Sequence, residues 1–267
     1  MEGFNMKVKR DGHIHSPYCP HGTKDSFEMY VEQALNKGLE EITFTEHMPF
    51  TSVFFENKEF LDECAMDIKD IDSYIKDVKK IKKKYEGKIK INLGFEVDYI
   101  DGLDEEIKEM LNKYGEYIED SILSVHFVKF NGKIECIDCL EFFEILLNKV
   151  GSLEKVYDLY FETLLKSIKA DLGIYKPKRI GHPTLIRVFN NKYPIEYKNI
   201  NLMEKVIKEI KDNGYEIDFN TAGLRKPYCK EPYPSGFFLE LIKKYNVPVV
   251  YGSDSHKSED VAKDFDI

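Results

Sequence analysis

The sequence predicts a single α/β domain in which parallel strands form a barrel. Short β-rich runs alternate with longer amphipathic stretches, a pattern typical of parallel strands joined by right-handed crossovers. No polar linker divides the 267 residues. Six of the seven β-rich runs end in a histidine or a carboxylate. A barrel brings all such strand ends to one face, where barrel enzymes build their sites, whereas an open sheet would spread them along a line.

The predicted strands follow one another at regular intervals along the chain. In order, they cover residues 7–15, 41–47, 88–98, 121–127, 178–182, 215–220 and 247–253.

The predicted helices lie between these strands and carry apolar residues three and four positions apart. They fall within residues 25–38, 67–87, 152–171, 197–214 and 234–245. Ser152 and Ser235 are candidate N-caps, and Gly38, Gly87 and Gly214 follow helices. The longest interval between strands, 128–177, holds two helical patterns and is predicted to be an elaborated crossover within one domain of residues 1–267.

Composition restricts the possible partners. Asp and Glu exceed Lys and Arg by 48 to 39, and this acidic surface offers nucleic acid or an anionic membrane no overall attraction. No run of 18 apolar residues and no apolar signal segment is present, so we expect a cytoplasmic protein. Five scattered cysteines fit free thiols in a reducing compartment, and the CxxC formed by Cys136 and Cys139 is interpreted as coincidence. The sequence does not indicate an oligomeric state.

The first predicted strand carries an HxH pattern, His13 and His15. Residues i and i+2 of a strand point to the same face, so the two imidazoles can hold one transition metal. The following PYCPHGT adds His21 in a loop that can fold back over the strand ends. Taken alone, each feature also fits a histidine of the core or of a surface loop.

Glu96 lies in INLGFEVDY, where the apolar alternation places its carboxylate among inward-facing positions. Burying this charge costs several kcal/mol unless a cation or a donor compensates. A metal is the natural compensator, and two carboxylate oxygens can bridge two ions. A buried salt bridge to Lys or Arg is the alternative.

The other strands repeat this placement of polar residues after apolar runs. The residues concerned are His47 before Pro49, His126 in SILSVHF, His182 in RIGHP, and Asp254 and His256 in VVYGSDSHK. Each histidine alone is also compatible with a structural role. Yet every histidine of the chain lies at or after a predicted strand end, and none lies in a predicted helix.

Taken together, seven imidazoles, Glu96 and Asp254 give nine ligating groups, too many for one tetrahedral ion and enough for two or three. Zinc, iron and manganese all suit such a donor set. Because adjacent ions can activate water and stabilise charge on phosphoryl oxygens, the cluster favours hydrolysis of a phosphate ester.

The motifs also carry a family resemblance. DGHIHSPYCPHGT, FTEHMPF, GFEVDY, SVHF, GHPTLIR, TAGLRKPYCKEPYPS and GSDSH, in this order, resemble the PHP (polymerase and histidinol phosphatase) family and its histidinol-phosphatase branch. The resemblance spans nearly the whole chain, although 128–141 matches no motif. It implies a distorted (β/α)7 barrel with three metal positions at the C-terminal ends of the strands.

The resemblance also implies which residues would hold each ion. They are His13, His15, Glu96 and Asp254 for the first, Glu96, His126 and His182 for the second, and His21, His47 and His256 for the third. Glu96, Asp254 and His47 are the candidate catalytic residues. Arg187 and Arg225 match the positions that hold substrate phosphate, and guanidinium groups suit phosphate oxygens, although ion pairs to barrel carboxylates are an alternative.

The activity implied is metal-dependent hydrolysis of L-histidinol phosphate, a small phosphate ester, to L-histidinol and phosphate. Two groups are candidates for donating the proton to the leaving group: Glu46 and a metal-bound water. Three alternatives remain: a phosphoesterase of the same family acting on nucleotides or DNA ends, a barrel amidohydrolase, and a non-catalytic metal-binding protein.

Overall fold

The computed structural model describes residues 8–266 of the chain. In this range the backbone forms nine strands. They are β1 (Arg10–Ile14), β2 (Glu41–His47), β3 (Lys90–Asp98), β4 (Ile122–Ser124), β5 (Phe127–Phe130), β6 (Lys133–Cys136), β7 (Arg179–Ile180), β8 (Glu216–Asn220) and β9 (Val249–Gly252). Lys7, where the first predicted run begins, lies outside the described residues.

Helices follow most of these strands. They are α1 (Phe27–Asn36), α2 (Lys58–Cys64), α3 (Ile71–Lys84), α4 (Asp104–Tyr114), α5 (Leu140–Val150), α6 (Leu153–Lys169), α7 (Ile200–Asp212), α8 (Ala222–Arg225) and α9 (Gly236–Tyr245). None of those between residues 8 and 266 combines the length and apolar character needed to cross a bilayer.

Seven strands form one parallel sheet in the order β1-β2-β3-β4-β7-β8-β9. Its two edges meet, because the backbone N–H of Asp254 donates to the carbonyl of His13 at 2.8 Å and that of His15 donates to the carbonyl of Ser255 at 3.0 Å. The sheet is therefore a nearly closed barrel, which confirms the predicted α/β barrel with seven parallel strands.

The predicted caps are only partly realised. The Ser152 hydroxyl accepts a hydrogen bond from the backbone N–H of Lys155. Ser235 precedes α9, but its hydroxyl makes no capping bond and instead donates to Glu231 at 2.8 Å. Gly38, Gly87 and Gly214 all adopt positive φ after helices, as predicted.

The crossover between β4 and β7 contains one feature that the sequence analysis missed. The two predicted helices are α5 and α6, but they are preceded by an antiparallel hairpin of β5 and β6. Its turn is Asn131-Gly132, with φ of 49° and 80°, and Asn-Gly between alternating apolar residues is a strong hairpin signal. The hairpin ends at Cys136, so the CxxC spans its junction with α5.

The end of the barrel opposite the histidines contains a partly buried charge cluster centred on Asp120. Its carboxylate accepts hydrogen bonds from Arg10 at 2.6 Å, Arg179 at 2.8 Å and Thr43 at 2.7 Å. Burial favours the neutral acid, but the charges of Arg179 and Arg10 outweigh it and hold the pKa of Asp120 below its usual value. Residues at the starts of several strands are thereby tied to one carboxylate.

Replacing Asp120 tests the importance of this cluster for stability. Asp120→Ala leaves the guanidinium of Arg179, 1% exposed, without its carboxylate, and we expect a loss of about 3–5 kcal/mol in the free energy of unfolding. The matched control is Glu56→Ala, which removes a surface ion pair with Lys133 and should cost far less, because exposed ion pairs contribute little to stability. Urea unfolding of both variants gives the comparison, and equal losses would contradict a structural role for the cluster.

Candidate metal centre

The C-terminal ends of the barrel strands bring all nine predicted ligands to one face. His13 lies in β1, His47 ends β2 and Glu96 lies in β3, while the others follow strand ends: His15, His21, His126, His182, Asp254 and His256. Two of these positions carry an unusual backbone, with φ of 22° at His182 and 52° at Asp254. Non-glycine residues rarely adopt positive φ, and such strain is common at functional sites.

Glu96 occupies the middle of the cluster and is 1% exposed. Its carboxylate lies 2.9 Å from Nε2 of His182, 3.3 Å from Nε2 of His13 and 3.2 Å from Nδ1 of His47. It also accepts a hydrogen bond from Ser124 at 2.7 Å. Burial favours the neutral acid, but the surrounding imidazoles hold the pKa of Glu96 well below its usual range. The predicted alternative, a salt bridge to Lys or Arg, is not what surrounds this carboxylate in the described part of the chain.

The ligand atoms fall into three groups whose members all lie within 4.8 Å of one another. One group, Glu96, His126 and His182, has the members of a predicted set, and a second, His13, His15 and Asp254, has those of another predicted set without Glu96. The third consists of His15, Cys19, His47 and His256. His21 lies beside this group, because its Nε2 is 3.0 Å from Nε2 of His256. Cys19 was not among the predicted ligands.

Carboxylates behind the imidazoles set their orientation. Asp218 lies 2.8 Å from Nδ1 of His13, and Asp98 lies 2.6 Å from Nδ1 of His126. Burial would lower the pKa of His126, but the charge and hydrogen bond of Asp98 outweigh it and raise that pKa to about 10. Metal-binding histidines commonly direct the other ring nitrogen to such a partner. These contacts leave Nε2 of each ring facing the cluster.

The sequence analysis did not identify Asp218 or Asp98. Asp218 lies in β8, the one predicted strand without a histidine or carboxylate at its end. A signal was present, because Asp218 is a charged residue within the apolar run YEIDFN, just as Glu96 is within its own run.

Glu46 acts on His15 rather than on the cavity. It is fully buried, accepts hydrogen bonds from Ser16 and from the backbone N–H of His47, and lies 3.5 Å from Nδ1 of His15. This position favours an orienting role over proton donation to a leaving group.

Several buried ring nitrogens lack a hydrogen-bond partner among residues 8–266, including both nitrogens of His47 and Nδ1 of His182. Burial and the neighbouring imidazoles hold the pKa of His47 well below its usual value, so its ring is neutral. Unpaired buried polar atoms are costly, and neutral imidazole nitrogens are metal donors. The donor set of imidazoles and carboxylates therefore fits a centre of several transition-metal ions.

A cavity of about 280 Å³ opens onto this cluster. His47, Glu96, His126, His182 and Asp254 line its floor. Its walls include Phe60 and Glu63 of α2, Phe127 of the hairpin, and Asp138 and Cys139 from the CxxC segment. The segment that matched no motif thus forms one wall of the cavity.

The two predicted phosphate-binding arginines are engaged elsewhere in the structure. Arg187 forms a two-point ion pair with Glu231, with one contact at 3.1 Å. Arg225 donates to Asp264 at 3.2 Å and to the carbonyl of Ser253 at 2.5 Å. Of the basic side chains described, Lys226 rather than either arginine lines the cavity. Sequence reasoning passed over Lys226, although it lies in the quoted TAGLRKPY motif.

Comparison with known proteins places the chain in a family. The profile of the PHP domain matches residues 11–222. A histidinol-phosphatase of Bacillus subtilis is 43% identical over 256 residues, covering 95% of both chains. The solved structure of a candidate histidinol phosphatase from Listeria monocytogenes is 36% identical, covers 97% of this chain and 99% of its own, and superposes with a TM-score of 0.90.

A more distant structure shares the fold. It is a histidinol phosphate phosphatase of Lactococcus lactis complexed with zinc, L-histidinol and phosphate, with a TM-score of 0.73 at 18% identity, covering 96% of this chain and 90% of its own. Because the PHP profile spans most of the chain and the Bacillus relative matches it along nearly its full length, the chain belongs to the PHP domain family.

Proposed function

We propose that this protein is a metal-dependent phosphomonoesterase that hydrolyses L-histidinol phosphate to L-histidinol and phosphate. The observation that carries the proposal is the buried carboxylate of Glu96, surrounded by imidazoles at the floor of an open cavity. The 43% identity to a histidinol-phosphatase over nearly the full chain supports the substrate.

The nine predicted ligands divide among three ions in this proposal. The first would be held by His13, His15, Glu96 and Asp254, the second by Glu96, His126 and His182, and the third by His21, His47 and His256. When bound, such ions supply an activated water and positive charge for the phosphoryl oxygens. Zinc, iron and manganese all suit these donors.

The protein's own contribution is to hold these donors in fixed positions. Asp218 and Asp98 hold the rings of His13 and His126, so the Nε2 of each ring is presented to the centre without further ordering. Glu96 is a member of the second group and also lies 3.3 Å from Nε2 of His13 in the first, which supports a bridge between those two ions.

The cavity walls support a substrate with a cationic amine and an aromatic ring. Phe60 and Phe127 offer aromatic surface, and Glu63 and Asp138 line the same space. An ammonium group pairs favourably with carboxylates, whereas the further phosphates of a nucleoside polyphosphate or of a DNA strand would be repelled by them. These walls therefore favour histidinol phosphate over the polyanionic substrates of the alternative phosphoesterase.

Arg187 and Arg225 retain their proposed phosphate-binding role on the basis of motif position. Arg225 ends α8, directly after β8, and its contact with the carbonyl of Ser253 places it beside Asp254. Binding phosphate would require the guanidinium to exchange its partner Asp264 for the ligand.

Phosphate release tests the proposed activity. We expect the purified protein to carry up to three transition-metal ions per chain and to hydrolyse histidinol phosphate faster than nucleotides or sugar phosphates. Chelation should abolish turnover, and zinc, iron or manganese should restore it. Elemental analysis and a substrate panel give the result. Bound metal without turnover of any phosphate ester would instead favour a non-catalytic metal-binding protein.

Glu96→Gln tests the bridge. Loss of a ligand shared by two ions should lower kcat roughly 1,000-fold or more, because metal-ion catalysis contributes several kcal/mol and each 1.36 kcal/mol is a factor of ten. His21→Ala, which touches one ion, should cost clearly less. Glu40→Gln is the matched control, since this exposed glutamate pairs with Lys9 on the surface. Near-normal turnover of folded Glu96→Gln would exclude the bridge.

Arg225→Ala tests the phosphate contact. A charge-assisted hydrogen bond contributes about 1.5–3 kcal/mol, so we expect a roughly 10- to 150-fold lower kcat/KM with unchanged metal content. Lys244→Ala, which removes a surface ion pair on α9, is the control. If kcat/KM is unchanged in Arg225→Ala but falls in Lys226→Ala, the phosphate is held by the lysine and Arg225 only anchors the segment around Asp264.

A further inference from the structure

Cys19 lies beneath the floor of the cavity and belongs to none of the assigned ligand sets. It is fully buried. Its Sγ lies within 4.8 Å of ring nitrogens of His15, His47 and His256, which themselves lie this close to one another. In a tetrahedral zinc site with ligands at about 2.0–2.3 Å, two donor atoms lie roughly 3.3–3.8 Å apart. Placing these atoms around one ion therefore needs side-chain movements of up to roughly 1.5 Å.

A second observation marks the same point as a ligand site. The side chain of His47 is 9% exposed, and neither of its ring nitrogens has a hydrogen-bond partner within the described range. A buried imidazole without a partner is expensive unless something binds it. This ring lies in the same group as Cys19, so the thiol is not an isolated cysteine but part of an incomplete donor set.

The local backbone fixes the position of this side chain. Cys19 begins the turn Cys19-Pro20-His21-Gly22, in which the backbone N–H of Gly22 donates to the carbonyl of Cys19 at 3.3 Å. A Cβ at Gly22 would lie 3.1 Å from Cβ of Cys19 and 3.5 Å from its Sγ, so the glycine allows the turn to close tightly around the sulfur.

We propose that the sulfur of Cys19 is a fourth ligand of the third ion, beside His21, His47 and His256. His47 and His256 belong to the same group as this sulfur, and Nε2 of His21 lies 3.0 Å from Nε2 of His256, whereas His15, the remaining member of the group, stays with the first ion. Three imidazoles leave a tetrahedral ion one donor short, and this sulfur is the nearby soft donor that fills the position. On binding, the S–H bond breaks, its proton passes to solvent, and a metal–sulfur bond forms. A thiolate favours zinc over manganese at this position, so the third ion is chemically distinct from the other two.

This inference rests on the three-ion centre of the proposed function, and cobalt substitution tests the two separately. The protein is stripped with a chelator, loaded with Co²⁺ and examined by absorption spectroscopy, with cobalt content measured on the same sample. A thiolate ligand gives a charge-transfer band in the near ultraviolet that imidazole and carboxylate ligands do not give. We expect this band in the wild-type protein and its complete loss in Cys19→Ser.

Two further cysteines provide matched controls. Cys64 and Cys139 both line the cavity and are the competing sources of a sulfur ligand, so Cys64→Ser and Cys139→Ser should retain the band. Persistence of the band in Cys19→Ser, or its absence from wild-type protein that binds cobalt, overturns the role of Cys19 and leaves the centre intact. Failure to bind cobalt at all overturns both proposals.

X-ray absorption tests the same ligand in the wild-type protein and therefore does not depend on whether Cys19→Ser folds. X-ray absorption at the zinc edge of the wild-type zinc protein should show a sulfur shell at about 2.3 Å, beside the nitrogen and oxygen shell at about 2.0–2.1 Å. A spectrum described by nitrogen and oxygen alone contradicts the proposal.

Discussion

The buried carboxylate of Glu96 is the constraint around which the functional face of this barrel is arranged. A charge that is 1% exposed needs compensation, and here it comes from imidazoles rather than from Lys or Arg. Those imidazoles come from separate strands or from the segments after them. They can surround Glu96 only when the sheet closes into a barrel. The backbone hydrogen bonds between His13 and Asp254 and between His15 and Ser255 make that closure, and they involve ligand residues themselves.

The carboxylates at the two ends of the barrel have different kinds of partner. At one end, the carboxylate of Asp120 is matched by the guanidinium groups of Arg10 and Arg179, although Nε of both arginines and Nη1 of Arg179 have no hydrogen-bond partner in the described structure. At the other end, the carboxylates of Glu96 and Asp254 lie among imidazoles, whose neutral nitrogens are metal donors. The first end therefore pairs opposite charges of the protein itself, whereas the donor set of the second suits cations.

The ring nitrogens that do not face the cluster also have partners, and these partners orient the imidazoles. Asp218 and Asp98 each fix one ring, and the backbone carbonyl of Glu63 fixes His21 through Nδ1 at 2.8 Å. Such outer partners reduce the ordering that binding requires. Cys19 extends this arrangement below the floor, where a sulfur donor would give one of the three ion sites a chemistry different from the others.

The sequence by itself determined the strands, the histidines at their ends and the central carboxylate, because strand alternation, strand ends and buried charges are properties of short stretches of chain. The Asn131-Gly132 hairpin was equally local, and its signal was overlooked. Tertiary structure alone decided the contacts between distant segments: Asp218 against His13, 205 residues apart, Arg225 against Asp264, and Cys19 beneath His47. These pairings depend on which strands become neighbours and how side chains pack after the barrel closes, and no local pattern in the chain encodes those distances.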